Sequence, residues 1–149
     1  MGGWGLGEGG VVVCRCEEGF SAHELALAAQ QKWRSGEWVG LAFAWLMDLP
    51  KVALTAWQRY EVAAVFREAL TAKTLPGAVV VHPADREWFG QLAWDLAKQT
   101  GGVLGVFQGY AAADDWIRQQ VLAFIAESCW RVRQLANTLH KPVLLPPDF

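Results

Sequence analysis

The chain has 149 residues, a net charge of −2 and 53% hydrophobic residues, and nine of its residues are tryptophan. This length is enough for one domain with a substantial core. The sequence has no basic run, which argues against a nucleic-acid partner. Its apolar runs are shorter than the ~20 residues that cross a bilayer, which argues against membrane insertion.

The first ten residues, "MGGWGLGEGG", have neither the basic region nor the apolar stretch of a signal peptide. We therefore expect a flexible Gly-rich leader at 1–10, one domain at 11–140 and an extended tail at 141–149. The three cysteines are an odd number, which disfavours a closed disulfide framework and favours a reducing, cytoplasmic location.

The first half of the domain alternates strand and helix patterns. "VVVCRC" is short and β-branched, which predicts a strand at 11–16. Ser21 and Glu24 form a capping box that opens a helix at 21–34. The next run, "WVGLAFAWLM", fits either a buried helix or a buried strand; its short length and Gly40 favour a strand at 38–46.

The second half continues the alternation. Thr55 and Gln58 form another capping box. Apolar periodicity and breaker residues then predict the remaining elements, which are a helix at 55–73, a strand at 78–81, a helix at 84–99, a strand at 103–107 and a helix at 111–140. The order βαβαβαβα predicts a single-domain α/β fold with a mainly parallel four-stranded sheet and a long C-terminal helix.

The segment "PGAVVVHPADREWFGQLAWDLAKQTGGVLGVFQGYAAADDWIRQQ" at 76–120 resembles the STAS domain, and within it the SpoIIAA-like, anti-sigma-factor-antagonist-like group. The likeness lies in a strand ending in "GVF", a turn, and a helix carrying Trp116-Ile117. "LAFAWLMDL" resembles the preceding strand. The resemblance implies a regulatory module that binds proteins and is switched by phosphorylation of a Ser or Thr at the joint after that strand. Here the joint reads "VALTAW", where Thr55 is the only hydroxyl.

Thr55 has two interpretations. As the first residue of a capping box it stabilises its helix by roughly 1 kcal/mol. As a phosphoacceptor, it would carry a phosphate at the positive end of the same helix. The cap is the favoured interpretation.

A polar rim is the candidate ligand site. Asp48, His82 and Asp85 follow predicted strands, and ligands of open parallel sheets bind at strand carboxyl ends. His82 could act as a base beside the two acids, or could bind a metal together with them. The alternative, which we favour, is that these residues cap helices and solvate the rim. Cys14 and Cys16 face one side of a strand, which suits packing, so we expect no metal and no cofactor.

The last helix carries the candidate interface. Apolar residues recur along it at spacings of four and three, which is typical of a surface that packs on another helix. Trp130 is a further candidate because nine tryptophans are difficult to bury together. The predicted interface residues are Ile125, Cys129, Trp130, Val132, Ala136 and Leu139.

These patterns predict a cytoplasmic, non-enzymatic STAS-like module that acts by binding a protein partner or by forming homo-oligomers. One alternative is a small enzyme or ligand-binding protein that uses the acidic and histidine rim. A weaker alternative is a carrier of apolar ligands, suggested by the tryptophan content.

Overall fold

The computed structural model describes residues 3–73 and 75–138, and residues 68–73 are described by their backbone alone. The strands are β1 (Trp4–Leu6), β2 (Val11–Arg15), β3 (Ala44–Asp48), β4 (Gly77–Val80) and β5 (Leu104–Phe107). The helices are α1 (Ala22–Arg34), α2 (Ala56–Lys73), α3 (Arg86–Thr100) and α4 (Tyr110–Thr138), with 3₁₀ turns at Glu8–Gly10 and Pro83–Asp85. The predicted α/β class is confirmed.

The strands form one sheet in the order β1-β2-β3-β4-β5. β2 to β5 are parallel, and Asp48 at the end of β3 pairs with Arg15 on one side and Val80 on the other. Because the parallel strands lie in chain order, the connections α1, α2 and α3 all cross the same face of the sheet.

Each face of the sheet has its own core. The face under α1, α2 and α3 presents Trp45, Met47 and Val79 to these helices, and its cluster includes Phe66 and Phe89. The opposite face presents Val11, Leu46 and Val80 to Ala113, Ile117 and Val121 of α4. The sheet is thus covered on both faces, which explains the nearly continuous apolar strands.

Gly77 shows how tightly the first of these cores is packed. A Cβ built at this position would overlap the indole ring of Trp45. The same indole stacks on Phe66, with ring centroids 4.8 Å apart. A side chain at position 77 would therefore push the largest buried residue out of place.

The strand count differs from the prediction, which was wrong in giving four strands. Within the predicted Gly-rich leader, Trp4–Leu6 pairs antiparallel with β2, so the sheet is mixed and has five strands. Trp4 holds this edge in place, since its indole N–H donates to the carbonyl of Leu25 at 3.0 Å and its ring contacts Trp38 edge to face. A short Gly-rich strand has little pattern of its own and forms because β2 offers an open edge.

The predicted strand at 38–46 begins later, at Ala44. Gly40 lies in a turn with φ of 77°, a left-handed conformation that a strand cannot contain. Trp38 is buried by Trp4 and Trp33, against which its ring packs edge to face. The apolar character of 38–43 therefore reflects a buried turn rather than a strand.

The last helix, α4, extends beyond the sheet. Its 29 residues span ~43 Å, whereas a five-residue strand spans only ~17 Å. The core cluster on this face reaches as far as Ile125 along α4 and includes none of the residues that follow. Residues 126–138, which we call the overhang, continue for ~20 Å.

Candidate functional site

The carboxyl ends of β3, β4 and β5 form the predicted rim. A pocket of about 100 Å³ lies there, and Lys51, His82 and Gln108 supply its polar lining. Leu49 and Val81 belong to its apolar lining. Parallel pairing brings these residues together, because the ends of adjacent strands meet at the same edge.

Asp48 closes β3 beside this pocket and is half-buried. Its carboxylate oxygen Oδ1 lies 3.9 Å from the ammonium of Lys51, an ion pair at the sheet edge. Its backbone carbonyl accepts a hydrogen bond of 2.8 Å from the amide of Cys16. Asp48 therefore has both a local charge partner and a role in extending the sheet ladder.

His82 follows β4 and caps the 3₁₀ turn at Pro83–Asp85. Its Nδ1 accepts a hydrogen bond from the Ala84 amide at 3.1 Å, while the ring also lines the pocket. A neutral imidazole that accepts at Nδ1 carries its proton on Nε2. The ring nitrogen used for the cap is not free to take a substrate proton, which leaves Nε2 for any contact with a ligand.

Asp85 does not join the pocket. It is 2% exposed, and its Oδ2 accepts the Leu54 amide at 2.9 Å. Its Oδ1 forms an ion pair with the Arg59 guanidinium at 3.5 Å. Asp85 therefore connects the start of α3 to the loop and first turn of α2, and the three predicted rim residues do not form one constellation.

Thr55 occupies the capping geometry that the sequence predicts. Its hydroxyl oxygen accepts the Gln58 amide at 3.2 Å, and its own amide donates to the Gln58 side-chain oxygen at 2.9 Å. The residue is exposed at the entry to α2. Phosphorylation of this hydroxyl stays a prediction.

Cys14 lies on β2 and Cys16 directly follows its last residue, and both side chains face α1, α2 and α3. Both are buried, and their sulfur atoms are 3.8 Å apart. The hydrogen bond between them lowers the pKa of Cys14, whereas the same contact and burial raise the pKa of Cys16. Within residues 3–73 and 75–138, no three His, Cys, Asp or Glu side chains come together as metal ligands.

The predicted interface residues of α4 fall into two groups. Ile125, Cys129, Val132 and Ala136 lie along one side of the helix, and this side continues the one that Ile117 and Val121 bury against the sheet. Trp130 is 61% exposed but points about 160° away from Val132, at 100° per residue. Leu139 lies outside the described residues.

Exposure rises along α4 as it leaves the sheet. Ile125 and Cys129 are half-buried and Val132 is 45% exposed, although Ala136 is buried. Leu135, which shares the sheet-facing side of the helix, is 60% exposed. The overhang thus presents apolar side chains that the described part of the chain does not cover.

Two contacts of the rim were not predicted from the sequence. The Arg15 guanidinium lies 4.7 Å from the centre of the Tyr110 ring, and Arg59 lies 5.6 Å from that of Trp88 while pairing with Asp85. Both join residues far apart in the chain. No local pattern could have indicated them, because each depends on how a helix docks on the sheet.

Comparisons with protein-family models, with curated proteins and with solved structures found no match to this chain. Among the helices of the described ranges, none combines the length and the apolar character needed to span a membrane.

Proposed function

We propose that this chain is a non-enzymatic, STAS-like protein-interaction module that works through the overhang of α4. The observation that carries the proposal is the continuation of the sheet-covering side of α4 into residues 126–138, where Val132 and Leu135 are exposed. Exposed apolar side chains aligned on one side of a helix are typical of a surface that packs against a partner.

A second copy of the chain is the partner that this surface fits best. Ile125, Cys129, Val132 and Ala136 follow one another at spacings of four, three and four, which is the spacing of a helix–helix seam. In an antiparallel pair centred on Val132, Cys129 of one copy faces Leu135 of the other. Leu135 of the first copy then faces Cys129 of the second, the reciprocal contact that a two-fold interface requires.

The contacts of the rim support a module without catalytic chemistry. General acid–base catalysis needs a base and its partner within hydrogen-bond reach of one substrate. Asp85 is used by Leu54 and Arg59, and one ring nitrogen of His82 is used by Ala84. The enzyme alternative would therefore have to rely on Asp48, Lys51 and the remaining nitrogen of His82.

The test compares two substitutions at exposed apolar positions that lie two residues apart on α4. Each substitution introduces one carboxylate. Val132→Glu introduces two facing charges at the centre of the proposed seam. Trp130→Glu introduces the same charge on the other side of the helix. Light scattering at tens of micromolar is expected to show an assembly for the native chain and Trp130→Glu, and a monomer for Val132→Glu.

A native chain that is monomeric under these conditions would refute self-association. Loss of assembly in Trp130→Glu with retention in Val132→Glu would place the contact on the opposite side of α4. Circular dichroism of both variants controls for folding. Because Trp130 is 61% exposed and Val132 is 45% exposed, neither change is expected to unfold the domain.

A further inference from the structure

Cys14 and Cys16 form a pair that the proposed function does not use. Cys14 lies on β2 and Cys16 follows its last residue, where its amide continues the ladder to Asp48, and both side chains lie in the core on the same face of the sheet. Both thiols are buried, and Cys16 retains 8% exposure where the strand ends. Cys129, the third cysteine, lies on α4 beyond the other face of the sheet.

The separation of the sulfur atoms is the informative distance. At 3.8 Å, they are nearly twice as far apart as two bonded sulfurs, at ~2.05 Å. Two sulfurs that each lie ~2.3 Å from one shared atom can be at most ~4.6 Å apart, so at 3.8 Å both can bond the same atom. The observed spacing therefore suits two thiolates that share one bound atom.

The backbone disfavours a disulfide between the same residues. A disulfide brings its two Cβ atoms to roughly 3.5–4.5 Å. Residues two apart on an extended strand are ~6.6 Å apart. Closing that gap would distort β2 where Cys14 pairs with Met47 and where the Cys16 amide donates to the Asp48 carbonyl at 2.8 Å. A shared atom can bond both sulfurs from the observed separation of 3.8 Å, without bringing them to the distance of a disulfide.

We propose that Cys14 and Cys16 form a binding site for a monosubstituted trivalent arsenical, a soft, thiophilic group that two sulfur ligands satisfy. Soft thiolate ligands select soft ions. No further His, Cys, Asp or Glu from the described ranges joins the pair, so an ion that demands four protein ligands fits poorly. An arsenical RAs(III) supplies its third substituent itself.

The binding step is a condensation without redox change. Phenylarsine oxide reacts with the two thiols to form two As–S bonds, and the two thiol protons leave with the arsenic-bound oxygen as water. Arsenic stays trivalent and both sulfurs keep their oxidation state. Access is through Cys16, at the carboxyl end of β2 beside the turn that follows it.

The experiment uses the full-length native chain with phenylarsine oxide as the probe. Intact-mass spectrometry is expected to show one phenylarsenic group per chain, removed by a dithiol but resistant to a monothiol at equal thiol concentration. Cys14→Ser and Cys16→Ser are each expected to weaken retention by about 100-fold, the order of gain that linking two ligands provides. Cys129→Ser is expected to bind as the native chain does.

A second measurement keeps the test independent of the folding of the serine variants. After the native chain binds the probe, alkylation in denaturant followed by peptide mapping should find Cys14 and Cys16 protected and Cys129 modified. Protection of Cys129, or release of the probe by a monothiol, would overturn the proposal. The proposal would also be overturned if the native chain bound Cd²⁺ tightly but did not retain the arsenical. In that case the Cd²⁺ would be held by ligands other than this pair of cysteines alone.

Discussion

The two ends of the sheet use their side chains in opposite ways. At the carboxyl end, polar groups are held by internal contacts: Asp85 by Leu54 and Arg59, and His82 by Ala84. At the amino end, the overhang of α4 leaves Val132 and Leu135 exposed. A polar residue at a strand end can thus be structural, and an apolar residue on a helix can be available for binding.

The largest loss of stability is expected for a substitution of Asp85, at the carboxyl end of the sheet. Asp85→Ala removes a buried carboxylate and leaves the Leu54 amide and the Arg59 guanidinium without it. Removing one member of a buried pair typically costs about 3–5 kcal/mol, so urea denaturation should show a loss of this size in the free energy of unfolding.

Asp85→Asn is the matched control. The amide oxygen can still accept the Leu54 N–H, so this variant should lose less stability than alanine. If the alanine variant lost no more than about 0.5 kcal/mol, the usual range for a surface residue, Asp85 would not be a structural tie and the rim would again be a candidate ligand site.

Two positions within α4 itself show the same contrast. Ile117 and Leu135 are 18 residues apart, or five turns, and point in the same direction from the helix. Ile117 is 0% exposed over the sheet, whereas Leu135 is 60% exposed in the overhang. Ile117→Ala should lower the free energy of unfolding by about 2–5 kcal/mol because it leaves a cavity.

Leu135→Ala should change the free energy of unfolding by no more than about 0.5 kcal/mol at concentrations where the chain is monomeric. At higher concentration, the same variant should weaken assembly. Equal stability losses for the two variants, measured on monomers, would mean that the overhang is covered within a single chain.

The same contrast shows what the sequence could predict. Capping boxes are local, so Ser21–Glu24 and Thr55–Gln58 were correctly placed from a few residues each, and the predicted bond from Glu24 to Ser21 is present at 3.2 Å. β1 was missed because its order depends on the open edge of β2. The start of β3 was misplaced because Trp38 is buried in a turn by contacts with Trp33 and with Trp4, which is far away along the chain.

The rim was predicted only in part, because parallel pairing can be inferred from the sequence whereas the docking of a helix on the sheet cannot. The pairing of Asp48 with Val80 follows from parallel register, which brings Asp48 and His82 to one edge of the sheet. The direction of Asp85 depends on where α2 places Arg59 and Leu54. Periodicity identifies an apolar stripe on α4, but only the length of the sheet decides where burial ends along it.

A smaller change in the free energy of unfolding is expected for substitutions of Thr55, at the carboxyl end of the sheet. Thr55→Ala removes the acceptor for the Gln58 amide and should lower the free energy of unfolding by about 0.5–2 kcal/mol. Thr55→Asp keeps an acceptor at the helix start and should largely preserve stability. Thermal or urea denaturation of both variants checks the cap.

Assembly measurements on the same variants test the switch. If Thr55 is a cap alone, folded Ala and Asp variants should associate equally. An Asp variant that is folded but fails to associate, beside an Ala variant that associates normally, would favour regulation by phosphate at this position over the cap alone.

The smallest expected effect is at His82, where a structural and a ligand-binding role can be separated. His82→Asn offers a side-chain oxygen that can accept the Ala84 amide as Nδ1 does, so the free energy of unfolding should change by less than about 0.5 kcal/mol. His82→Ala loses the acceptor and should cost more, although the capped element is a single 3₁₀ turn. Denaturation curves of the two variants, recorded beside that of the native chain, give this order.

The same two variants test ligand binding, because both remove the imidazole of His82, which lines the pocket beside Lys51 and Gln108. If the rim binds a ligand through His82, both variants should lose that binding equally, whereas a capping role predicts that they differ in stability. If an added small molecule stabilised the native chain, and if the Asn and Ala variants lost this stabilisation to the same extent, His82 would be a ligand contact. That result would reverse the contrast between the two ends of the sheet.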